Sequence, residues 1–374
     1  MNLRLLFIAE HFPPDMGGVA TSAGRTATAL TASGASVDVI AWTRSLPAGR
    51  VVHQPGSPSV YRLGRFREWD TTLPHTLNLA DSLFAQQRYD AIWGHYLTQA
   101  GFFAVYLARL RGLPSVVSIR GNDLDRGMFP PGDFARLLWT LQNCTIPTAV
   151  TLDLARKATA LSDRTDIVHL PNAVDTATFQ PAAPSSELRA SLGIEENEAV
   201  LGFAGELREK KGQTQLIEAL QHVRRQRPAC LLIIGEVRPS QFATLALTRD
   251  RILVTGALPT PADVNAHLQL CDIYLQPSLW DGMPNALLEA MSAARLCLAS
   301  DAGGIPEVLP SRAILPRWEL HRLGPAILDA LDAPPALRAQ QQQAARTRIV
   351  EHFSLEQEPP RLQALLARLI PSSS

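Results

Sequence analysis

The chain has 374 residues, which at about 150 residues per domain predicts more than one hydrophobic core. Hydrophobic residues make up 46% and charged residues 19%, a composition that excludes a disordered or collagen-like chain. The 35 Lys and Arg residues balance the 35 Asp and Glu residues, so there is no overall field to attract nucleic acid, and we expect no nucleic-acid partner.

The cysteines and the N-terminal residues bear on the compartment. Four cysteines lie far apart without metal or redox spacing, as expected for isolated core thiols in a reducing compartment. The apolar run 5–9 is too short for a secretory signal. We therefore expect a cytoplasmic protein.

Short apolar runs and helical patterns alternate along the first half of the chain. The patterns predict strands at 3–9, 37–42, 91–95 and 114–119, and helices at 19–33, 77–87 and 100–111. Such alternation is typical of a parallel, doubly wound sheet.

Residues 181–198, rich in Pro, Ser and Glu, interrupt the alternation and predict a linker. Beyond it the patterns predict strands at 199–204, 231–235, 252–256, 273–276 and 296–300, and helices at 213–224, 261–270, 284–294 and 355–369. The predicted class is α/β, with two Rossmann-like domains at 1–180 and 199–350 and a C-terminal helix and tail at 351–374. Because parallel sheets bind ligands at the carboxyl ends of their strands, we expect these ends to face a common cleft.

The densest motif, residues 277–291, follows an apolar strand. Pro284 suits the first position of a helix, whose free amides would bind an anion such as phosphate. Asp281 before that helix and Glu289 within it suit sugar hydroxyls, although a solvated loop Asp and an exposed helix Glu would give the same pattern. The amides concerned are those of Asn285, Ala286 and Leu287.

A second loop, residues 202–212, also lies between a strand and a helix. Gly205 permits a close backbone approach and Gly212 a positive φ. Arg208, Lys210 and Lys211 would then project as phosphate partners, unless the loop is only a solvated charged turn. Together the two loops could hold a diphosphate from both sides.

The first domain offers weaker signals. Gly17 and Gly18 follow the first strand, where their amides could approach a ligand or simply form a tight turn. His95 and Arg120 follow predicted strands, and a hydrogen-bonded structural role suits His95 equally well. Hydrolase, zinc-protease, P-loop and nicotinamide motifs are absent from the sequence.

These motifs resemble those of family 4 retaining glycosyltransferases (glycosyl transferases group 1), which have the GT-B fold of two facing Rossmann-like domains. Residues 277–291 are similar to the family's Glu-x7-Glu block, and 301–307 to its GG-x-P-E turn. Residues 171–181 resemble its PNGVD…F.P element, with Ala173 in place of the usual glycine. The loop ending at Lys211-Gly212 resembles its diphosphate-binding segment.

The resemblance implies roles for individual residues. Lys211 would contact the donor diphosphate, Glu289 the ribose hydroxyls and Asp281 the transferred sugar, while Gly17 and Gly18 would lie by donor and acceptor. Three positions depart from the family pattern. Asp281 replaces the usual first Glu, Glu206 replaces an Arg and leaves Arg208 to supply that charge, and Arg120 replaces a His.

The implied activity is transfer of a sugar, with retention, from a nucleotide-diphosphate donor to a hydroxyl acceptor (glycan, lipid-linked or small molecule). Its predicted catalytic residues are Asp281, Lys211, Arg120 and His95. We expect no cofactor beyond the donor and no metal, reading Asp123-Leu124-Asp125 as a solvated loop. A catalytically silent sugar-nucleotide or glycan-binding protein, an epimerase and, with less support, a phosphorylase of the same fold are the alternatives. Nothing in the sequence identifies the nucleotide, the sugar, the acceptor or the oligomeric state.

The first domain is the predicted acceptor side. If the acceptor is carried on a lipid, a patch of basic and aromatic residues could add a weak peripheral contact with the membrane. A solvated basic strand edge is the other interpretation of this patch. Its residues are Arg62, Arg65, Phe66, Arg67 and Trp69.

Overall fold

The computed structural model describes residues 3–15, 17–238 and 251–369. By its internal contacts the chain divides into two compact units, residues 1–172 with 358–374, and residues 173–357. Each described unit contains one predominantly parallel sheet flanked by helices, which confirms the predicted class of two Rossmann-like domains.

The first unit contains an eight-stranded sheet in the order β3-β4-β2-β1-β5-β6-β7-β8, parallel except for the pairing of β3 with β4. Its strands are β1 (Arg4–Ala9), β2 (Ser36–Thr43), β3 (Val51–Gln54), β4 (Ser59–Gly64), β5 (Ala91–His95), β6 (Ser115–Ile119), β7 (Ile146–Ala149) and β8 (Val168–His169). Its helices are α1 (Gly18–Ala32), α2 (Trp69–Gln86), α3 (Gln99–Arg111), α4 (Asn122–Asp125), α5 (Pro131–Asn143), α6 (Leu152–Ser162) and, much later in the chain, α14 (Glu358–Ala367).

The second unit contains a six-stranded parallel sheet in the order β11-β10-β9-β12-β13-β14. Its strands are β9 (Ala199–Ala204), β10 (Ala229–Ile234), β11 (Ile252–Val254), β12 (Ile273–Gln276), β13 (Cys297–Ser300) and β14 (Ile314–Leu315). Its helices are α7 (Ser186–Ser191), α8 (Gln213–Arg224), α9 (Pro261–Gln269), α10 (Asn285–Ser292), α11 (Ile305–Val308), α12 (Leu323–Asp332) and α13 (Pro335–His352).

Alternation along the strands places an apolar layer on each face of the first sheet. In β1, Leu5 and Phe7 join the cluster that contains α1, whereas Leu6 and Ile8 join the cluster that contains α3. Both sets are fully buried, as expected for a parallel strand covered on both faces. The core of the second unit is formed in the same way, by β9 and β10 against α8 and α12.

The last helix, for which the sequence predicted no partner, packs on α1 in the first unit. Its leucines at 362, 365 and 366 are buried in the same cluster as Ala23 and Ala27 of α1. Small residues on α1 let the two helices approach closely. The predicted linker, 181–198, belongs by contacts to the second unit and contains α7.

Several parts of the fold lay outside the sequence prediction. The edge strand β3 and its neighbour β4 were missed because β3 is largely exposed and polar residues interrupt the apolar residues of β4. Nor were elements assigned to the segment that forms α5, β7 and α6, or to the segment from α11 to α13. None of the helices in the described ranges is long and apolar enough to cross a membrane.

Candidate active site

The two predicted loops of the second unit lie side by side at the centre of its sheet. From β9 the chain proceeds to β10 and β11 on one side, whereas β12, β13 and β14 lie on the other. In open parallel sheets, ligands bind outside the carboxyl ends of the strands at such a reversal of strand order. Loops 205–212 and 277–284 follow β9 and β12, so they occupy this position.

These two loops touch at Gly212. This residue has a φ of 80°, and a Cβ built on it would lie 2.2 Å from the carbonyl oxygen of Pro277. The Leu279 amide also donates to the Lys210 carbonyl oxygen at 2.8 Å. Only glycine fits this contact. The contact therefore sets the position of loop 205–212, which carries the basic residues, relative to loop 277–284, which carries Asp281.

Lys211 and Asp281, which the sequence assigned to different parts of a donor, form an ion pair. The Lys211 Nζ donates to Asp281 Oδ2, and the Ser278 hydroxyl donates to the same oxygen at 3.2 Å. The Gly282 amide donates to Oδ1 at 3.1 Å. Burial favours a higher pKa for Asp281, but Lys211 and Lys210 hold this pKa below its ordinary value. Asp281 is therefore ionised at neutral pH.

A buried hydrogen-bond chain supports this carboxylate from behind. The Tyr274 hydroxyl donates to Gln276 Oε1 at 2.7 Å, and Gln276 Nε2 donates to the Ser278 Oγ at 2.9 Å. The Ser300 hydroxyl donates to the Ser278 carbonyl oxygen at 2.6 Å. Sequence reasoning missed these positioning residues, although polar residues at the end of an apolar strand were a usable signal.

Helix α10 begins one residue later than predicted. Pro284 is the N-cap, outside the helix, and Asn285 is the first helical residue. The Leu287 amide donates to the Pro284 carbonyl oxygen at 3.1 Å, so the prediction that this amide is free was wrong. The candidate amides are therefore those of Asn285 and Ala286. The buried Asn285 Oδ1 has no hydrogen-bond partner among the described residues.

Glu289 lies on α10 and is partly buried. Burial raises the pKa of its carboxyl to about 7. Near neutral pH this group is thus divided between a neutral form, which can donate a hydrogen bond, and a carboxylate, which accepts hydroxyl donors.

Arg208, in the loop 205–212, has an acidic neighbour. Glu206 lies 3.4 Å from Arg208 and 2.9 Å from Arg238, in each case between a guanidinium nitrogen and a carboxylate oxygen. Sequence reasoning missed Arg238, which follows β10 and is brought in by the bridge between Leu207 and Val237. Its place after the neighbouring strand would have been the signal.

In the first unit the strand order reverses between β1 and β5. His95 ends β5 and is completely buried, stacked on Phe7 with its Nε2 2.9 Å from the Ser22 hydroxyl oxygen. Burial, Arg120 and Arg25 hold the pKa of His95 well below its ordinary value, so the ring is neutral. Its role in an acceptor site stays a prediction, one that requires the ring to be uncovered.

Arg120 belongs to a basic cluster near His95. Its guanidinium donates to Asn172 Oδ1, which also accepts from Arg25 at 3.0 Å, and Arg25 pairs with the buried Glu358 of α14 at 3.0 Å. Burial and Arg25 lower the pKa of Arg120 to about 9, which leaves it charged at neutral pH. Arg120 thus keeps a positive charge at the end of β6.

The interpretation of residues 123–125 as a solvated loop was wrong for Asp123. This carboxylate is buried and accepts from the amides of Leu97 and Gly121 at 2.9 and 2.7 Å, and from that of Arg120. Burial nevertheless raises its pKa to about 6. Asp123 therefore organises the β5 and β6 loops. In the described parts of the chain, no group of His, Cys, Asp and Glu is arranged to hold a metal ion.

Gly17 and Gly18 lie at the amino end of α1. Gly17 is the N-cap with a φ of 112°, and Gly18 begins the helix. A Cβ on Gly17 would meet nothing within 4 Å, so its positive φ, and not crowding, is what requires glycine in this structure.

The aromatic residues of the basic segment 62–69 pack against the protein. Phe66 lies edge-on to His75, and Trp69 lies edge-on to Trp42. Arg67 remains almost fully exposed. The segment therefore presents charge to solvent more than aromatic surface.

Comparison with known proteins identifies the class to which this fold and site belong. Residues 17–173 match the family described as "Glycosyl transferase 4-like domain", and residues 184–348 match the family described as "Glycosyl transferases group 1". The structure is similar to that of Anabaena HepE in complex with UDP-glucose, with a TM-score of 0.79, 16% identity, and coverage of 98% of this chain and 100% of that one. The fold is therefore that of the GT-B glycosyltransferases.

Two curated relatives narrow the class. The GDP-mannose-dependent monoacylated alpha-(1-6)-phosphatidylinositol monomannoside mannosyltransferase of Corynebacterium glutamicum is 26% identical, and the match covers 97% of each chain. The alpha-maltose-1-phosphate synthase of Mycobacterium tuberculosis is 28% identical over 56% of this chain and 58% of its own length. The chain belongs to the group 1, GT4-like family and is a retaining hexosyltransferase that uses a nucleotide-sugar donor.

Proposed function

We propose that this chain transfers a hexose from a nucleoside diphosphate sugar to an acceptor hydroxyl, with retention and without a metal ion, and that the second unit binds the donor. The ion pair of Lys211 with Asp281, beside the amino end of α10 and at the reversal point of the sheet, carries this proposal. There a cation, a helix amino end and an ionised carboxylate meet within one ligand-sized area.

The proposed chemistry follows from the charges that develop. As the bond between the sugar and the diphosphate breaks, its electron pair goes to the leaving phosphate oxygen. Lys211, Arg208 and the amides at the start of α10 would stabilise that negative charge, which is the task a metal performs in other enzymes. The acceptor oxygen forms the new bond to the sugar on the face that the diphosphate leaves, and its proton passes to the leaving phosphate oxygen that received the electron pair.

Asp281 and Glu289 would bind different parts of the donor. Asp281 is ionised and held by three hydrogen-bond donors, so it suits the hydroxyls of the transferred sugar and the positive charge that develops on its ring. Glu289, with a pKa of about 7, suits the ribose hydroxyls. Lys211 would turn from Asp281 toward the diphosphate when the donor binds.

We place the acceptor on the first unit, where His95 and Arg120 lie at the carboxyl ends of β5 and β6, and Gly17 and Gly18 lie at the amino end of α1. The four cysteines are buried and unpaired, which favours the predicted cytoplasmic location. We retain contact with a membrane only as a consequence of a lipid-linked acceptor.

The test is a panel of nucleoside diphosphates and their sugars, beginning with GDP-mannose and UDP-glucose, read first by thermal shift. A ligand at about 100 times its Kd adds about 2.7 kcal/mol of stability. The bound donor is then tested for hydrolysis and transfer in excess EDTA, and NMR reads the anomeric configuration of the product. Lys211→Ala should weaken binding of the nucleoside diphosphate, and its matched control is Lys157→Ala, which changes the only lysine in the sequence outside the loop 202–212. Donor binding without transfer or hydrolysis would contradict the proposal, as would an inverted product or loss of activity in EDTA.

A further inference from the structure

A cavity of about 350 Å³ opens in the first unit, and Arg65 of the basic segment 62–69 is one of its lining residues. Three of its residues follow strands at their carboxyl ends: Glu10 follows β1, Arg44 follows β2 and Arg65 follows β4. Its position is thus the ligand-binding edge of an open parallel sheet. The remaining lining residues are His11, Asp15, Trp42, Thr43 and Ser45.

The acidic residues of this cavity already have partners. The Glu10 Oε1 accepts from the Thr98 hydroxyl at 2.6 Å and from the Gln99 amide at 2.7 Å, at the start of α3. Asp15 Oδ2 lies 3.6 Å from His11 Nδ1. Glu10 therefore compensates the amino end of a helix, where a negative charge is stabilised.

The two arginines, by contrast, have no salt-bridge partner among the described residues, although Glu10 acts on Arg65 from a greater distance. In the described parts of the chain, neither Arg44 nor Arg65 forms an ion pair, and Arg65 instead lies over the Trp69 ring at 4.9 Å. Burial and the neighbouring Arg44 lower the pKa of Arg65, whereas Glu10 raises it. Two like charges thus lie near each other at one opening, an arrangement that a bound anion would stabilise.

We propose that this cavity binds a phosphate group carried by the acceptor, through Arg44 and Arg65. Guanidinium groups match phosphate oxygens with paired hydrogen bonds. The volume lies in the range of small-molecule sites and admits a sugar phosphate or a phosphate headgroup. This inference rests on the proposed function, because it names the class of acceptor for the same transfer.

Direct binding tests the proposal without knowledge of the acceptor. Calorimetry compares glucose 6-phosphate, glycerol 3-phosphate and inorganic phosphate with glucose. We expect the phosphates to bind with a salt-dependent affinity and glucose not to bind, and Arg44→Gln and Arg65→Gln each to weaken binding at least about tenfold. Arg67→Gln is the matched control, since this side chain is 96% exposed and lies outside the cavity. The control should stay within about twofold of the wild type.

A second arm separates a soluble phosphate from a lipid headgroup. Sedimentation with vesicles of phosphatidylcholine, with and without phosphatidic acid, is measured for the same four proteins. Vesicle binding that requires phosphatidic acid and is lost in Arg65→Gln supports a lipid-linked phosphate, whereas binding of the soluble phosphates alone supports a free one. The proposal is overturned if neither the soluble phosphates nor the phosphatidic acid vesicles bind at phosphate concentrations below about 10 mM. It is also overturned if Arg44→Gln and Arg65→Gln bind these probes as well as Arg67→Gln does.

Nucleotide binding on the same samples keeps the two proposals apart. Arg65→Gln should retain the wild-type affinity for the nucleoside diphosphate that the panel identifies. A protein that binds phosphates through Arg65 but binds no nucleotide would refute the proposed function and leave the cavity assignment standing. Normal nucleotide binding without binding of any phosphate probe would refute the cavity assignment and leave the proposed function standing.

Discussion

Replacing Lys211 with alanine should alter ligand binding and stability in separable ways. The side chains of Lys211 and Asp281 are only 19% and 12% exposed, so the substitution leaves a largely buried carboxylate without its main cation. Breaking a fully buried pair costs about 3–5 kcal/mol. Because Lys210, Ser278 and the Gly282 amide remain beside Asp281, we expect a loss of about 1–3 kcal/mol in the free energy of unfolding.

The pH dependence of this loss has a definite sign. In the wild type, the lowered pKa of Asp281 contributes stability that is present above the unfolded pKa and disappears as the pH falls through the folded one. Without Lys211, burial should raise that pKa above its unfolded value, so the folded state is penalised as the pH rises. The stability difference between wild type and Lys211→Ala should therefore be largest near neutral pH and shrink below about pH 4.

Nucleotide affinity should fall by about 10- to 150-fold in Lys211→Ala, the equivalent of one charge-assisted hydrogen bond. Calorimetry measures this affinity, and the unfolding midpoint measured across pH reports stability. The double variant Lys211→Ala with Asp281→Asn should recover stability, because no charge stays buried, but it should not recover affinity. If folded Lys211→Ala binds nucleotide like the wild type, or if the double variant restores affinity as well, the diphosphate assignment is wrong.

Three further predictions concern the same unit. Nucleotide affinity should rise from about pH 6 to about pH 8 as Glu289 ionises, whereas titrations of Glu289→Gln should give a weaker, flat profile. Asp281→Asn alone should keep or improve nucleotide affinity, because Lys211 is released from its ion pair. It should also reduce transfer at least about tenfold. Full activity of this variant in a kinetic assay would show that Asp281 is only a loop carboxylate without a role in transfer. Gly212→Ala should lower the unfolding midpoint more than Gly193→Ala. Both glycines have a positive φ, but only a Cβ at 212 would meet a carbonyl oxygen. Equal midpoints would contradict the tight contact between the loops.

The helices and strands near the candidate residues of both units were predictable, because local patterns of apolar residues indicate which of their faces are buried. The predicted bounds of β5, at 91–95, and of α8, at 213–224, agree with the structure. Apolar runs define such buried strands, and helical spacing defines the face of α8 that packs on the sheet. Hence the loops that follow β9 and β12 could be identified from the sequence as candidate binding loops.

Partnerships across long chain separations were not predictable. Lys211 and Asp281 are 70 residues apart, and nothing local indicates that they pair with each other. Arg238 reaches Glu206 only through a bridge between loops. The burial of Asp123 was hidden for a related reason, since backbone amides satisfy its carboxylate and leave no signature in neighbouring side chains.

The return of α14 to the first unit has a practical consequence for exchanging parts between relatives. The second unit is one continuous stretch, 173–357, whereas the first is assembled from two stretches that share the apolar cluster on one face of its sheet. A donor unit can therefore be transplanted as one cassette with two junctions. A fragment ending at residue 172 would instead expose the Ala-rich face of α1 that the leucines of α14 cover, so chimeras that exchange the acceptor side must carry both stretches together.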